Sequence, residues 1–356
     1  MATGQRVVVA MSGGVDSSVA AALLAEQGCD VVGVMLRLWA DGWTEETPAG
    51  NRCCSLDAVE DARRVAQQFG FPFYVVNAEA DFKRWVVDYF LAEYARGQTP
   101  NPCTACNQHI KFGFLLTRAA MLDADALATG HYARLASQGD GSYALLRAVD
   151  RAKDQSYMLY MLGQDRLARV RFPLGELTKA QVRMEASRLG LGLAGKPDSQ
   201  EICFVGRDYR DFLARYIPDA LRPGSIVDEA GVVVGQHAGL PRYTIGQRQG
   251  LNLARRERTY VLGLDTDGNA LRVGGAEGLL TRQAVVREVT FSQPRPERAL
   301  ARIRSHGELA GCSLAPRDGA ADALSVTFDE PQRALSPGQV MVFYDGDVVL
   351  GGGIIE

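Results

Sequence analysis

At 356 residues the chain is long enough for two or three domains, because single hydrophobic cores rarely keep growing beyond ~250 residues. Its 47% hydrophobic and 23% charged residues are those of a folded globular protein, which excludes a disordered or fibrous chain. A net charge of −3 excludes a uniformly basic nucleic-acid coat, although a local basic patch survives such an average. The apolar stretch Val7-Val8-Val9-Ala10-Met11 is too short for a signal-peptide core and runs into glycines, and no apolar run approaches the ~18 residues that span a bilayer. A cytoplasmic protein with no membrane partner is expected. The seven cysteines, Cys29, Cys53, Cys54, Cys103, Cys106, Cys203 and Cys312, follow no regular disulfide framework, which suits a reducing compartment.

The first third alternates apolar runs with helical patterns. Residues 7–11 read as a strand buried on both faces, 17–26 as a helix, 31–36 as a strand, 57–68 as a helix, 73–76 as a strand and 82–95 as a long helix. This alternation predicts βαβ units and a parallel sheet covered by helices, an α/β fold. Gly97 ends the long helix, and the segment from Gln98 through Pro102 reads as a polar loop carrying Cys103 and Cys106 with it. A helix over 112–122 and a strand over 126–129 resume the pattern, and Gly130-His131-Tyr132 follows that strand directly. Thr178-Lys179-Ala180-Gln181 predicts a capping box at the start of the next helix, closed by Gly190 and Gly192. From about Arg222 the runs become short and β-like, and Asp345-Gly346 predicts a hairpin turn between 340–344 and 348–350. Three domains are expected: a nucleotide-binding domain over 1–205, a small mainly-β middle domain over 206–280 and a C-terminal β-barrel over 281–356.

Ser12-Gly13-Gly14-Val15-Asp16-Ser17-Ser18 lies between a buried strand and an amphipathic helix, the context a phosphate loop needs. Glycines let the backbone approach phosphate oxygens, hydroxyls add donors, and a helix N-terminus supplies amides and a positive dipole end. No lysine follows the second glycine, so this is not a Walker A loop. Such a loop holds a ligand across its pyrophosphate, as for cleavage between the α- and β-phosphates. In an open parallel sheet, Gly130 lies on the same ligand-binding rim.

Cys106 lies just ahead of a helix, a setting that favours thiolate, and Cys203 follows Lys196-Pro197-Asp198-Ser199-Gln200-Glu201-Ile202. Cys29 and Cys312 read instead as buried small hydrophobes.

The glycine loop resembles that of the N-type ATP pyrophosphatases. Taken with Asn101-Pro102 through Cys106-Asn107, Gly130-His131-Tyr132, Lys153-Asp154-Gln155-Ser156-Tyr157, Asp198-Ser199 through Cys203-Phe204, Thr244-Ile245-Gly246-Gln247-Arg248 and the terminal Gly351-Gly352-Gly353-Ile354-Ile355-Glu356, it resembles the bacterial tRNA-specific 2-thiouridylases over essentially the whole chain. The resemblance implies sulfur insertion at carbon 2 of the wobble uridine of tRNAs for lysine, glutamate and glutamine. ATP with Mg2+ would adenylate the carbonyl oxygen and sulfur would displace AMP. By the same resemblance Cys203 receives persulfide sulfur from a carrier or a cysteine desulfurase, and Cys106 forms a disulfide with it. Ala10, Met11, Ser12, Gly13, Gly14, Val15, Asp16, Ser17, Leu36 and Gly130 look like ATP contacts. Asn101, Pro102 and Cys103 would meet the target base, and Lys153, Asp154, Gln155, Arg304 and Ser305 the tRNA. Asp198 is a further polar organiser beside the persulfide loop.

Two positions depart from that pattern. Many family members carry an acidic residue where this chain has Cys103, so Cys103, Cys106 and Cys203 make three thiolates that match a four-iron four-sulfur cluster with one open position. Persulfide and cluster mechanisms therefore both stand; a zinc site using the adjacent Cys53 and Cys54 is less suited to a tetrahedral ion. Ser305-His306 replaces the tyrosine and arginine of relatives. Arg242, Arg248, Arg255, Arg256 and Arg258, interleaved with Tyr243 and Tyr260, offer phosphate contacts and stacking rings for RNA. The target uridine would leave the anticodon stack to reach the nucleotide. A small-molecule adenylating ligase needs the same loop but not the paired cysteines.

Overall fold

The computed structural model describes residues 4–39, 55–197, 202–205, 208–253, 257–317 and 319–356. Cys53, Cys54, Asp198, Ser199, Gln200, Glu201, Arg255 and Arg256 lie outside them. The chain divides into two compact units: Met1–Val87, Cys103–Arg207 and Gly346–Leu350 form the first, and Asp88–Pro102, Asp208–Asp345 and Gly351–Glu356 the second.

The first unit is built on the expected parallel sheet. Strand β1 (Arg6–Ala10) leads to helix α1 (Val15–Glu26), β2 (Asp30–Arg37), helix α2 (Leu56–Phe69), β3 (Phe73–Asn77) and β4 (Ala126–Thr129). Strands β5 (Ala133–Ser137) and β6 (Tyr143–Arg147) then form an antiparallel hairpin, and a short β7 (Val170–Arg171) completes the sheet, whose order is β3-β2-β1-β4-β7. Every pair in this sheet is parallel. Val7, Val8 and Val9 of the central strand are all 0% exposed, which is why β1 reads as a continuous apolar run rather than an alternating one. Met11, Val15, Val19 and Leu24 join α1 to the core, and Ala58, Ala62, Val65 and Ala66 join α2.

Helices begin earlier than the prolines and glycines of the sequence suggest. Helix α1 begins at Val15, inside the glycine loop and two residues earlier than expected. The helix expected from residue 112 begins at Pro102 instead, running as Pro102–Ala105, then with wider π-type turns over Cys106–Leu115, then Leu116–Met121. Proline is at ease in a first helical turn, where its missing N–H has no intrahelical partner. Cys103 and Cys106 therefore stand in the opening turns of a helix, not in a loop. The 82–95 helix likewise starts earlier, as Glu79–Phe82, Lys83–Val87 and Asp88–Ala95. The β5–β6 hairpin and the helix Tyr209–Tyr216 were not read from sequence.

In the second unit, β8 (Gly224–Val227), β9 (Val233–His237), β10 (Tyr260–Asp265) and β11 (Ala270–Gly274) form a sheet ordered β10-β11-β8-β9. Its core holds Ile226, Leu240, Tyr243, Val261, Leu271 and Val273. Six strands follow: β12 (Leu280–Phe291), β13 (Arg298–Arg302), β14 (Ala310–Arg317), β15 (Ala320–Arg333), β16 (Val340–Asp345) and β17 (Val348–Ile355). They are ordered β12-β15-β14-β13-β16-β17, and β17 returns to β12 through Val286 opposite Ile355 and Phe291 opposite Gly351, closing a barrel with no open edge. The turn after β16 is the expected one, with Gly346 at φ +55°. Val348 and Val349, at the start of β17, belong to the first unit and pair there with Leu146 and Leu145 of β6.

The capping box forms as its sequence predicts: Thr178 accepts from the Gln181 amide at 3.3 Å while the Gln181 side chain accepts from the Thr178 amide at 2.7 Å, opening the helix Lys179–Arg188. Thr178→Ala is expected to raise native-state hydrogen exchange of the amides of this first helical turn about fivefold, the equivalent of ~1 kcal/mol, with unchanged exchange counting against the cap.

Candidate active site

Strands β1 and β4 are neighbours, and the chain departs from β1 toward β2 on one side while β4 lies on the other. This is a topological switch point, where parallel sheets form a crevice at their carboxyl ends. The glycine loop leaves β1 and Gly130-His131-Tyr132 leaves β4, so the two segments stand side by side. Their approach is close enough to dictate residue type: a Cβ at Gly130 would lie 2.8 Å from the Asp16 carbonyl carbon and the Ser17 nitrogen. Gly13 is constrained twice, by φ +67° and by the Ala58 carbonyl oxygen, which a Cβ would approach to 2.2 Å.

Ala10 through Ser17 thus line one rim. Leu36 lies at the carboxyl end of β2, half-buried, on the same side of the sheet. Gly14 is the extended N-cap of α1 and no side chain caps it, which presents the first-turn amides as an anion site. The Ser17 hydroxyl gathers the loop around itself: it accepts from the Ser12 amide at 3.1 Å, donates to the Gly14 carbonyl at 3.2 Å and lies 3.2 Å from the Ser12 hydroxyl.

Positive charge reaches this loop from far along the chain. Lys179, first residue of the capped helix, places Nζ 2.8 and 2.9 Å from the two Asp16 carboxylate oxygens. Lys196 Nζ donates to the Gly13 carbonyl at 2.8 Å and to Asp61 at 2.7 Å. The Tyr132 hydroxyl donates to Asp16 at 2.8 Å. None of Lys179, Lys196, Tyr132 and Asp61 was selected as a site residue from sequence, because the partnerships span up to 183 positions and no local spacing marks them. His131, between Gly130 and Tyr132, is buried; desolvation, and secondarily Lys111, pushes it well below the usual histidine range, so it stays neutral with Nδ1 2.8 Å from the Thr129 hydroxyl.

The cysteines differ sharply in setting. Cys312 is fully buried, and burial pushes its thiol up to about 11, while Cys29 packs half-buried against the first unit's core. Both match the small-hydrophobe expectation. Cys103 is exposed, and Cys106 and Cys203 are half-buried. Two packing contacts bring the surroundings of the latter pair together. Phe204 sits edge-on to Phe82 with centroids 5.6 Å apart, and the Phe82 helix packs against the helix of Cys106. One turn beyond Cys106, His109 stacks on Trp85 at 4.5 Å. Asn107, buried beside Cys106, donates to the Met158 carbonyl at 2.8 Å, tying this helix to the turn that follows residues 153–155.

In that turn the three sequence candidates behave differently. Lys153 is half-buried and Gln155 exposed, but Asp154 points inward, taking hydrogen bonds from the Ala148 and Ser156 amides and from Arg147. Asn101 and Pro102 fall in the second unit, as do Arg304 and Ser305. Arg304 donates to the Ala334 carbonyl at 3.0 Å and, with Glu308, Asp329 and Arg333, lines an open cleft of about 530 Å³. The stacking role expected of Tyr243 is corrected: its ring is buried in the middle sheet's core, where apolar packing claims it. Tyr260 has the Arg333 guanidinium 4.7 Å from its ring centre.

Among the described residues, no three His, Cys, Asp or Glu side chains are gathered as a metal site. Cys103, Cys106 and Cys203 are accordingly not gathered as a three-thiolate set. No helix among the described residues is long and apolar enough to cross a membrane.

Three sequence families match in series: one described as "tRNA methyl transferase HUP domain" over residues 5–207, a "tRNA methyl transferase PRC-barrel domain" over 210–275 and an "Aminomethyltransferase beta-barrel domain" over 281–355. Full-length relatives carry a different label. The chain is 52% identical to the tRNA-specific 2-thiouridylase MnmA of Roseiflexus sp. (strain RS-1), covering 98% of this chain and 99% of that protein. It is 51% identical to that of Roseiflexus castenholzii, again over 98% and 99%, and 49% identical to that of Symbiobacterium thermophilum, over 99% and 92%. A solved 4-thiouridine synthetase–RNA complex with bound ATP overlaps 60% of this chain and 51% of that one at 17% identity, with a TM-score of 0.37, too low to carry an argument. Identity near one half along the entire length outweighs a domain label, and the chain belongs to the family of tRNA-specific 2-thiouridylases.

Proposed function

We propose that this protein is a cytoplasmic, ATP-dependent tRNA-uridine 2-sulfurtransferase acting on the wobble uridine of tRNAs for lysine, glutamate and glutamine. The observation that carries the reading is the 52% identity to a named 2-thiouridylase over 98% of the chain. It is supported by a glycine loop with two lysines and by Cys106 and Cys203 in the same compact unit. The proposed enzyme comprises a nucleotide domain over 1–205, a middle domain over 206–280 and a barrel over 281–356.

In this reading ATP lies along Ala10, Met11, Ser12, Gly13, Gly14, Val15, Asp16 and Ser17, with Leu36 and Gly130 at its edges. The α1 amides and the Ser12 and Ser17 hydroxyls face its pyrophosphate, while Lys179 and Lys196 supply the positive charge that a Walker lysine supplies elsewhere. Mg2+ bound with ATP would supply charge neutralisation for the phosphates, and the nearby loop carboxylate Asp16 is engaged by Lys179 and Tyr132.

A urea-like carbonyl is a poor electrophile. The uracil O2 attacks the α-phosphorus, pyrophosphate leaves, and C2 carries AMP as a leaving group. A carrier or cysteine desulfurase loads Cys203 as a persulfide. The Cys106 thiolate attacks Sγ of Cys203, the persulfide S–S bond breaks, and hydrosulfide is released as the Cys106–Cys203 disulfide forms. Hydrosulfide adds to C2, AMP departs with the former O2, and a proton is lost to water, leaving the 2-thio group. A thiol reductant then returns both cysteines to thiols. Asn101, Pro102 and Cys103 meet the flipped base, and Lys153, Gln155, Arg304 and Ser305 the RNA. The buried Asp154 shapes the 153–155 turn from within.

Mass spectrometry of tRNA nucleosides after incubation with ATP and a persulfide donor is expected to show 2-thiouridine with the wild type and none with Cys203→Ala, whose ATP binding stays within about twofold. A small-molecule ligase would leave tRNA unmodified and be indifferent to Cys203. Lys179→Met is expected to lower kcat/KM for ATP about 100-fold, or about 2.7 kcal/mol of transition-state stabilisation; a change under threefold would remove Lys179 from the nucleotide site. After anaerobic purification the wild type and Cys103→Ala are both expected to be iron-free and active. Stoichiometric iron and sulfide that vanish with Cys103 would replace the persulfide route with a cluster.

A further inference from the structure

A continuous set of hydrogen bonds joins the segment assigned to the nucleotide with the segment assigned to the RNA, and its midpoint is Tyr132. The Tyr132 backbone is paired on both sides with one residue: its N–H donates to the Gln155 side-chain oxygen at 3.0 Å, and its carbonyl accepts the Gln155 N–H at 2.8 Å. Its hydroxyl reaches the other way, to Asp16 at 2.8 Å. The ring between these ends is only 2% exposed, so the side chain has little room to move without moving its neighbours.

Both ends of this link are anchored. On the nucleotide side, Asp16 is shared between Tyr132 and Lys179, and the Lys179 amide donates to Asp150 at 2.9 Å, at the start of the turn that carries Lys153. On the RNA side, Asp154 binds the Ala148 and Ser156 amides and Arg147, while Arg134 donates to the Arg147 carbonyl at 2.7 Å and to Asp347 at 2.9 Å. Arg151 also binds Asp347, and with Arg134 and Arg147 holds that carboxyl below the usual range. Asp347 belongs to the Gly346–Leu350 segment of the same unit. The turn over 150–155 is therefore fastened at both ends, and Tyr132 links it to Asp16 of the glycine loop through the ring hydroxyl, beside the Asp150–Lys179–Asp16 connection.

We propose that Tyr132 is a positioning residue that makes RNA binding and nucleotide binding interdependent; this rests on the assignment of the two segments made above. A triphosphate at the loop draws Lys179 toward its oxygens, and Asp16 then depends on the Tyr132 hydroxyl. That hydroxyl can follow Asp16 only by carrying the backbone bonded to Gln155. Nucleotide binding thereby sets the 153–155 turn in the arrangement that receives RNA, and RNA binding holds Asp16 for the nucleotide, a coupling that is reciprocal by necessity.

The test uses the full-length protein, an anticodon stem-loop RNA and α,β-methylene ATP, which resists cleavage between the α- and β-phosphates. In the wild type, the analogue is expected to tighten RNA binding at least fivefold, and saturating RNA to tighten analogue binding by the same factor. In Tyr132→Phe each ligand alone binds within about threefold of wild type, while both coupling factors fall below twofold. A purely structural role would weaken the single-ligand affinities and leave the factor intact. A wild-type coupling factor near one, or an intact factor in Tyr132→Phe, overturns the proposal; failure of either ligand to bind the wild type overturns the segment assignments and this proposal with them. Should the phenylalanine variant fold poorly, hydrogen exchange in the wild type decides: the analogue alone is expected to slow exchange at the Tyr132 and Gln155 amides, and unchanged rates overturn the link.

Discussion

The approach of Gly130 to the backbone of Asp16 and Ser17 governs the geometry of this site. Two loops leave neighbouring parallel strands, and 2.8 Å between an added Cβ and the facing backbone leaves no room for any side chain at position 130. From that contact the rest follows in order. Tyr132 comes within hydrogen-bonding reach of Asp16, the buried His131 packs with Phe112 and Phe172, and the helix of Cys106, which carries Phe112, is drawn against the same strand end. The parallel sheet supplies the rigidity, since β1 has no exposed residue between Val7 and Val9.

Charge is arranged with equal economy. The glycine loop contains an acid and no base of its own, and its cations come from Lys179 and Lys196. Lys196 stands seven positions before Cys203, so the residue that touches the Gly13 carbonyl also begins the segment leading to that cysteine. In the proposed reading, the lysine at the nucleotide loop and the sulfur-accepting cysteine are close neighbours in sequence. The pair of half-buried Arg147 and buried Asp154 illustrates a different use of charge, in which a desolvated carboxylate with two amide partners shapes a turn rather than meeting solvent.

Much of the fold was legible in the sequence, because buried parallel strands and capped helices declare themselves locally. Val7 through Val9, Thr178 with Gln181, and Asp345-Gly346 each formed as their patterns predict. Pro102 misled because a proline that stops one helix can open the next, and the wide turns over 106–115 have no sequence period to announce them. Tyr243 misled because an aromatic among arginines reads as a stacking ring until its neighbours in space, Ile226 and Val261, are known. The same limit hid Lys179, Lys196 and Tyr132 as site residues. Their partners lie 163, 183 and 116 positions away, and side-chain pairing over such distances is decided by topology.

The account turns on the claim that the uracil oxygen itself is activated by adenylation before sulfur arrives. The most direct measurement follows that atom. With tRNA carrying 18O at C2 of the wobble uridine, the AMP released during thiolation is expected to contain the label in its phosphate, one 18O for each 2-thiouridine formed. Unlabelled AMP accompanying thiolated tRNA would contradict activation at that oxygen.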